Sequence, residues 1–372
     1  MKAIALIPGT TTIRLVDRPE PEIQAPDEVK LRIVRVGICG TDREEVDGGR
    51  AMPPDGLQDL VIGHEMFGQV VATGQKVSRV RSGDYAVLTV RRGCGICLPC
   101  AMNRSDMCLT GKYHERGIWG MDGYQTEFVV DKEQYVVRVP PEIAPLGVLS
   151  EPTSVAEKAI DEAVRLQFAR MPDAQASLDW LYGRPCLVAG LGPIGLLAAM
   201  ILRLRGAKVY GLDIVDPGST RPKWLEKIGG QYVDGNKIPP DQVQKMLEPM
   251  DLIFEATGVA GLAFNLLDAL GLNGIYVLTG IPGGDRPLQL DGAMLIRQLV
   301  LDNQTMLGSV NAARDHFQMA VDDLSTARLR WGDHIQGLIT HRFPYGQFAD
   351  ALAPMAGHSA DDIKTVIEWA QV

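Results

Sequence analysis

The 372-residue sequence predicts a two-part α/β protein, a β-rich first part followed by a doubly wound parallel-sheet domain. Three observations predict it. Up to about Glu151 the chain is a series of short apolar runs separated by Gly, Pro and Asp, which is strand spacing. Beyond Glu151 strand-like runs alternate with helical ones, which implies βαβ units and a parallel sheet. Within that second region Gly190-Leu191-Gly192-Pro193-Ile194-Gly195 follows an apolar strand and opens an apolar helix. At roughly 100–200 residues per domain the length suits two or three domains.

In the first part Lys2–Leu6, Glu28–Val36, Phe67–Ala72, Tyr85–Val90 and Glu127–Val130 are apolar or alternating and predict strands joined by long loops. Few helical periods occur there. Thr153–Ala163 and the stretch from Trp180 bring helical spacing. Then come strand Pro185–Gly190, helix Gly195–Leu204 stopped near Gly206, strand Lys208–Asp213, helix Lys223–Ile228 and strand Gln231–Val233. Helix Gln242–Leu247, strand Asp251–Glu255, helix Ala260–Leu270 and strand Gly274–Thr279 continue the alternation. From about Asn311 the pattern matches neither half: Asp315–Asp323 and Tyr345–Pro354 read as helices and Asp362–Glu368 as a strand. This tail is expected to return to the first domain. Arg170–Leu178 has the weakest pattern and reads as a surface insertion.

Composition narrows the function. Apolar residues make up 46% and charged residues 22%, as in ordinary globular proteins, against a disordered, collagen-like or coiled-coil chain. Lys plus Arg is 37 and Asp plus Glu 46, a net charge of -9. Such a surface repels phosphate backbones, so no nucleic-acid partner is expected. The longest apolar run, Cys186–Leu202, is short for a bilayer and broken by Gly190, Gly192, Pro193 and Gly195. Met1–Pro8 has too short an apolar core for a signal peptide. No membrane partner is expected, and the cytoplasm is the default location.

Strand, glycine turn, helix and Asp213 at the end of the next strand make up the dinucleotide fingerprint of a Rossmann domain. The glycines allow a tight turn and close approach of backbone to a pyrophosphate, which the helix N-terminus favours with free N–H groups. A glycine turn that binds nothing is the bland alternative, and the complete strand–helix–acid context weighs against it. A carboxylate at Asp213 accepts hydrogen bonds from the ribose hydroxyls and repels a 2′-phosphate, which favours NAD. Arg221 and Lys223 follow beyond a loop with Pro217 and Gly218, so NADP stays possible. Gly190, Gly192, Pro193, Ile194, Gly195, Asp213 and Thr257 are the candidate cofactor-binding residues.

Cys94, Cys97, Cys100 and Cys108 lie within one loop. Four thiolates at this spacing can wrap one ion tetrahedrally with no open position, which predicts a structural zinc site. An iron–sulfur cluster is the alternative, and disulfides are disfavoured in a reducing compartment. Cys39, Gly63-His64-Glu65 and Glu151-Pro152 are dispersed, yet Cys, His and carboxylate are the ligands of a catalytic zinc that keeps a position for substrate. Read singly, Cys39 is a core thiol, His64 a turn residue and Glu151 a helix-start charge. His64 and Glu65 point to opposite faces of a straight strand, so both reach one metal only across a bend. Glu151 is then the third or fourth ligand and Glu65 a residue behind it. Cys186 reads as core, and His316, His334, His341 and His358 lack ligand spacing.

Together these motifs resemble the zinc-dependent medium-chain alcohol and polyol dehydrogenases. Gly63-His64-Glu65-x2-Gly68-x5-Gly74-x2-Val77 is similar to their zinc signature, and Cys39, the four-cysteine loop and Gly190–Gly195 follow in the family's order. The resemblance covers the whole chain. It implies a GroES-like catalytic domain, residues 1–155 completed by 310–372, with an NAD-binding Rossmann domain over 156–309. Arg91-Arg92-Gly93-Cys94-Gly95, Glu115-Arg116-Gly117-Ile118, Ser154-Val155-Ala156-Glu157-Lys158-Ala159, Gly308-Ser309-Val310-Asn311 and Asp362–Glu368 resemble the archaeal-type glucose dehydrogenases most. That subgroup implies a catalytic zinc on Cys39, His64, Glu65 and Glu151, and sugar contacts from Thr41, Glu115, Glu151 and Asn311. Val90 stands where some members have a sugar-contacting Asn, so that contact is not carried over. Asp213 stands where members accepting NADP carry Arg.

The expectation is a zinc-dependent, NAD-linked dehydrogenase that oxidises D-glucose or a close aldose at C1 to the aldonolactone, with a proton relay beginning at Thr41. The rivals are a polyol or threonine dehydrogenase of the same fold and a non-catalytic nucleotide-binding protein. The family implies a homo-oligomer, dimer or tetramer.

Overall fold

The computed structural model describes residues 1–372 except 177–178, 239–241, 284–286, 354–359 and 372. It divides into two units, Met1–Ser154 with Asn311–Val372, and Val155–Val310.

The strands of the first unit before the boundary are β1 (Lys2–Leu6), β2 (Ile13–Asp17), β3 (Glu28–Ile38), β4 (Leu60–Val61), β5 (Glu65–Thr73), β6 (Tyr85–Leu88), β7 (Arg91–Arg92), β8 (His114–Arg116), β9 (Gly120–Met121), β10 (Phe128–Lys132) and β11 (Val136–Val139). Its helices there are α1 (Gly40–Val46) and α2 (Leu98–Ala101). β3 is the spine: it is buried along almost its whole length and pairs antiparallel with β5 and β10. Val29, Leu31, Ile33 and Val36, together with Val34, are the apolar reason. β2-β1-β4 and β7-β8-β9 form two three-stranded sheets.

α3 (Ser150–Arg170) carries the chain across the boundary, and α4 (Pro172–Ala176) follows. The second unit alternates β12 (Pro185–Ala189), α5 (Pro193–Leu204), β13 (Lys208–Asp213), α6 (Thr220–Lys227), β14 (Gln231–Asp234), α7 (Val243–Met246), β15 (Met250–Glu255), α8 (Ala260–Asn265), β16 (Leu270–Leu278), α9 (Gly292–Leu301) and β17 (Thr305–Gly308). The sheet order is β14-β13-β12-β15-β16-β17, parallel throughout. The chain winds outward one way from β12 and the other way from β15, so the switch point lies between them. Leu187, Ala189, Leu212, Ile253 and Tyr276 build its core, as expected for parallel strands covered on both faces.

The tail returns to the first unit as α10 (Arg314–Trp331), β18 (Ile339–Pro344), α11 (Phe348–Leu352) and β19 (Lys364–Glu368). β19 pairs antiparallel with the end of β3, and β18 pairs parallel with β19. The large sheet thus runs β11-β6-β5-β3-β19-β18, with β10 also on β3.

Several elements differ from the sequence expectation. β2 and β18 end their sheets, and their polar, half-exposed sequences carry little periodicity; they are strands because a neighbour pairs with them. α9 is not among the expected helices: none of its residues is fully buried, and Leu295 and Leu299 pack against the core. α10 continues to Trp331, well past Asp323. Arg170–Leu178 holds the end of α3 and then α4, with 177–178 outside the described residues. Tyr345–Pro354 splits into a 3-10 turn, Tyr345–Gln347, and α11, with residue 354 outside the described residues. Among the described residues no helix is long and apolar enough to cross a membrane.

Candidate functional site

Cys39 follows β3 and caps α1. Its Sγ accepts the Thr41 N–H at 3.2 Å, and Asp42 Oδ2 accepts the Cys39 N–H at 2.9 Å. Gly63, at φ 88°, bends the chain just before β5. The neighbours His64 and Glu65 therefore serve one place: the Cys39 thiol, a His64 ring nitrogen and a Glu65 carboxylate oxygen all lie within 4.8 Å of one another. Cys39 Sγ is 3.2 Å from His64 Nε2. Glu65 stands opposite Gly37 in the β3–β5 register, and a Cβ at 37 would come 2.0 Å from Glu65 Oε2. Only a residue without a side chain leaves that carboxylate room.

Lys364 of β19 donates to both Glu65 oxygens at 2.7 and 2.6 Å and to the Ile38 carbonyl at 3.1 Å. Both side chains of this pair are 2% exposed. Nothing in the sequence assigned Lys364 a role. A lysine opening an apolar strand run, Lys364–Glu368, is the one signal that could have drawn notice. Burial alone lowers the Lys364 pKa, but the Glu65 charge outweighs it and holds the ammonium charged. Glu151, in the first turn of α3, lies outside the 4.8 Å group. Burial pushes its carboxyl up to about 7, with His64 opposing and Glu65 adding to the rise. The structure thus gathers Glu65, rather than Glu151, with Cys39 and His64.

The donor set suits a metal ion. Sulfur, imidazole nitrogen and carboxylate oxygen are zinc ligands, and three of them leave a position open. His64 Nδ1 is buried without a hydrogen-bond partner and lies 3.8 Å from Asp42 Oδ1, as in a metal-bound imidazole backed by a carboxylate. Burial lowers the His64 pKa, yet the charges of Cys39, Asp42 and Glu151 raise it well above the ordinary value. Burial raises that of the Cys39 thiol.

Cys94, Cys97, Cys100 and Cys108 form a second group within 4.8 Å, and all are free of disulfides. Cys94 Sγ and Cys100 Sγ are 3.9 Å apart. A disulfide needs about 2.05 Å, whereas tetrahedral zinc with Zn–S bonds of about 2.3 Å places sulfurs about 3.8 Å apart. A hydrogen bond from Thr110, with others from backbone, lowers the Cys94 thiol to about 6. Burial, by contrast, pushes its neighbour Cys100 up to about 12.

Glu115 and Asn311 meet: Asn311 Nδ2 donates to Glu115 Oε1 at 2.8 Å. Asn311 holds φ 63°, and its Oδ1 accepts the Ala312 N–H. Glu115 lies opposite Arg91 in the β7–β8 pair and is 2% exposed. A Cβ at Gly117 would lie 2.4 Å from the Gly63 carbonyl, so the turn after Glu115 packs on the residue before His64. Thr41 is half-buried beside Cys39, and Val90 is buried.

In the second unit Gly192 caps α5, no side chain caps the helix start, and a Cβ at 192 meets nothing within 4 Å. Open space before free N–H groups suits a pyrophosphate. A Cβ at Gly195 would strike the Gly190 carbonyl at 1.8 Å, which is why helix and strand pack so closely there. Pro193 and Ile194 open α5. Asp213 Oδ2 accepts the Leu191 N–H and Oδ1 the Ile214 N–H, both at 2.7 Å. Thr257 borders the turn, its Cγ2 2.9 Å from a Cβ placed at Gly190. Buried Glu255, unforeseen in the sequence, accepts from Thr257 N at 2.7 Å, Gly258 N at 3.1 Å and the Thr257 hydroxyl.

Cys186 is core, His316 accepts the Ala313 N–H at 3.1 Å, and His341 is 3.3 Å from Asp362. His358 lies outside the described residues.

Residues 25–141 match the alcohol dehydrogenase GroES-like domain, and residues 144–369 match the glucose dehydrogenase C-terminus. The chain is 38% identical to a glucose 1-dehydrogenase of Vulcanisaeta moutnovskia over 373 residues, all of both chains. It is 34% identical to that of Methanocella arvoryzae over 372 residues, 99% of each. Among solved structures, Haloferax mediterranei glucose dehydrogenase in complex with NADP, Zn and gluconolactone is similar, with a TM-score of 0.87, 34% identity and full coverage of both chains. Galactitol-1-phosphate dehydrogenase from Escherichia coli, at 23% identity, TM-score 0.80 and 99% and 100% coverage, shares the fold.

Proposed function

Because the chain belongs to the glucose dehydrogenase family of zinc-dependent medium-chain dehydrogenases, we propose that it oxidises D-glucose or a close aldose at C1 to the aldonolactone, using NAD or NADP. One observation carries the sugar reading. Glu115 and Asn311, 196 residues apart, meet at 2.8 Å on a turn packed against the residue before His64. A sugar ring brings several hydroxyls into a site that excludes water, and each needs a partner; a site for a simple alcohol is lined by apolar side chains instead.

Cys39, His64 and Glu65 would hold the catalytic zinc in this reading, with Glu151, whose carboxyl feels the charges of His64 and Glu65, a further carboxylate for the set. The Asp42 carboxylate lies 3.8 Å behind the His64 ring as its opposite charge, and Lys364 fixes Glu65. Bound there, zinc would supply a Lewis acid toward the C1 hydroxyl and a nicotinamide would supply the hydride acceptor, so that aldose and NAD⁺ would give lactone, NADH and a proton. Thr41 stands at the start of the proton's path outward. Glu115 and Asn311 bind ring hydroxyls, Glu115 accepting and Asn311 donating. Cys94, Cys97, Cys100 and Cys108 hold a structural zinc. Unit one is the catalytic domain and unit two the cofactor domain, in which Gly190–Gly195, Asp213 and Thr257 contact the dinucleotide. The protein acts in the cytoplasm as a homo-oligomer.

The test is a panel of aldoses, polyols and threonine with each cofactor, followed by reduced-nicotinamide absorbance. Glucose or a neighbouring aldose is expected to give the highest kcat/KM. Faster turnover of sorbitol or threonine than of every aldose would overturn the sugar assignment.

A further inference from the structure

Glu115, assigned above to bind sugar hydroxyls, has a crowded carboxylate. Oε1 accepts from Arg91 Nε and Nη2 at 3.1 and 2.9 Å and from Asn311, while Oε2 accepts from Arg50 Nη2 at 3.1 Å. The two arginines differ in kind. Arg91 has a 10% exposed side chain and also donates to the Asp106 carbonyl at 2.8 Å. Arg50 is 58% exposed, and among the described residues Glu115 is its hydrogen-bond partner. Buried Arg91 already neutralises Glu115, and a second, exposed ion pair adds little to stability.

The backbone nevertheless holds Arg50 in place. Two residues on, the Met52 N–H donates to the Ile118 carbonyl at 3.1 Å, and the Met52 carbonyl accepts the Gly120 N–H at 2.9 Å. The segment bearing Arg50 is thereby tied to the β8–β9 turn, whose Gly117 packs on the residue before His64. A guanidinium has five N–H donors, and most of those on Arg50 remain for another acceptor.

We propose that Arg50 is a specificity-determining residue of the sugar site: with Glu115 Oε2 it forms a donor–acceptor pair that reads one ring hydroxyl, which donates to Glu115 and accepts from Arg50. This rests on the aldose reading above. A sugar lacking that hydroxyl forgoes both hydrogen bonds at once, so the pair rejects one deoxy analogue and tolerates the others.

The experiment measures kcat and KM for D-glucose and for deoxyglucoses lacking one hydroxyl each, with the zinc-loaded full chain, Arg50→Ala and Arg50→Lys. One analogue is expected to be poorer than glucose by about tenfold or more in kcat/KM with the unmodified enzyme. Arg50→Ala should raise the glucose KM by about tenfold with a smaller change in kcat, and erase the penalty for that analogue alone. Arg50→Lys should restore part of it, and the unfolding midpoint and zinc content should stay put. An unchanged KM in Arg50→Ala overturns the proposal. So does a raised KM with every deoxy penalty intact, or one accompanied by a lower unfolding midpoint, since each describes a structural arginine. If the unmodified enzyme oxidises glucose and Arg50→Ala behaves identically, the Arg50 assignment alone fails. If it oxidises no aldose, the sugar reading fails and takes this one with it.

Discussion

Glu65 and Lys364 face each other at 2.6 Å with 2% of each side chain exposed. A buried carboxylate stripped of its cation keeps the desolvation cost and loses the attraction, so Lys364→Met is expected to destabilise the zinc-free protein by ~3–5 kcal/mol, read from urea unfolding. A loss within experimental error would show that Glu65 takes up a proton or another cation instead. Cys39 calls for a different readout, because its neighbours are ligands rather than packing. Cys39→Ser should lower zinc from two ions to one per chain by elemental analysis and abolish turnover, while the four-cysteine ion and the fold remain. Active enzyme with a single zinc would sink the two-site assignment.

At the scale of elements, the loop from Cys94 to Cys108 contains the four-residue α2 and the 3-10 turn Ser105–Met107, with little apolar burial. An ion on the four thiolates would add to the hydrogen bonds that order it, so Cys97→Ser is expected to lower the unfolding midpoint and leave the rest of the zinc content in place. Asp131 of β10 joins three strands: it accepts from Arg92 of β7 at 2.7 Å and from Arg116 of β8 at 2.8 Å. Burial alone would raise its carboxyl, but the two guanidiniums outweigh that and hold it at about 2. The folded pKa is depressed, so the stability this network contributes is present above the unfolded value near ~3.9 and lost as pH falls through about 2. The difference amounts to roughly 2–3 kcal/mol. Urea midpoints of Asp131→Asn should therefore depend less steeply on pH between about 4 and about 2 than those of the unmodified chain. Equal slopes would show that other carboxylates govern acid unfolding.

For the whole molecule, the choice of cofactor is the property to test. The similar Haloferax enzyme was solved with NADP, whereas here Asp213 is braced by the Leu191 and Ile214 N–H groups beside the glycine turn. A fixed carboxylate there repels a 2′-phosphate, so kcat/KM should favour NAD, and Asp213→Arg should move the preference toward NADP. Equal use of both by the unmodified enzyme would mean that Arg221 or Lys223 overrides it. The sequence by itself determined what depends on near neighbours along the chain: the β12–α5–β13 fingerprint and the four-cysteine loop. Turn chemistry, helix starts and ligand spacing are local, so they are written in consecutive residues. Only the tertiary structure decided which carboxylate joins Cys39 and His64, because that follows from the bend at Gly63 and the space left by Gly37 across the β3–β5 register. It alone brought Lys364 to Glu65 across 299 residues, and Arg50 and Asn311 to Glu115 across 65 and 196. Such pairings are set by strand register and burial, and a charged side chain in a linear sequence looks the same whether its partner is water or a buried ion of opposite sign.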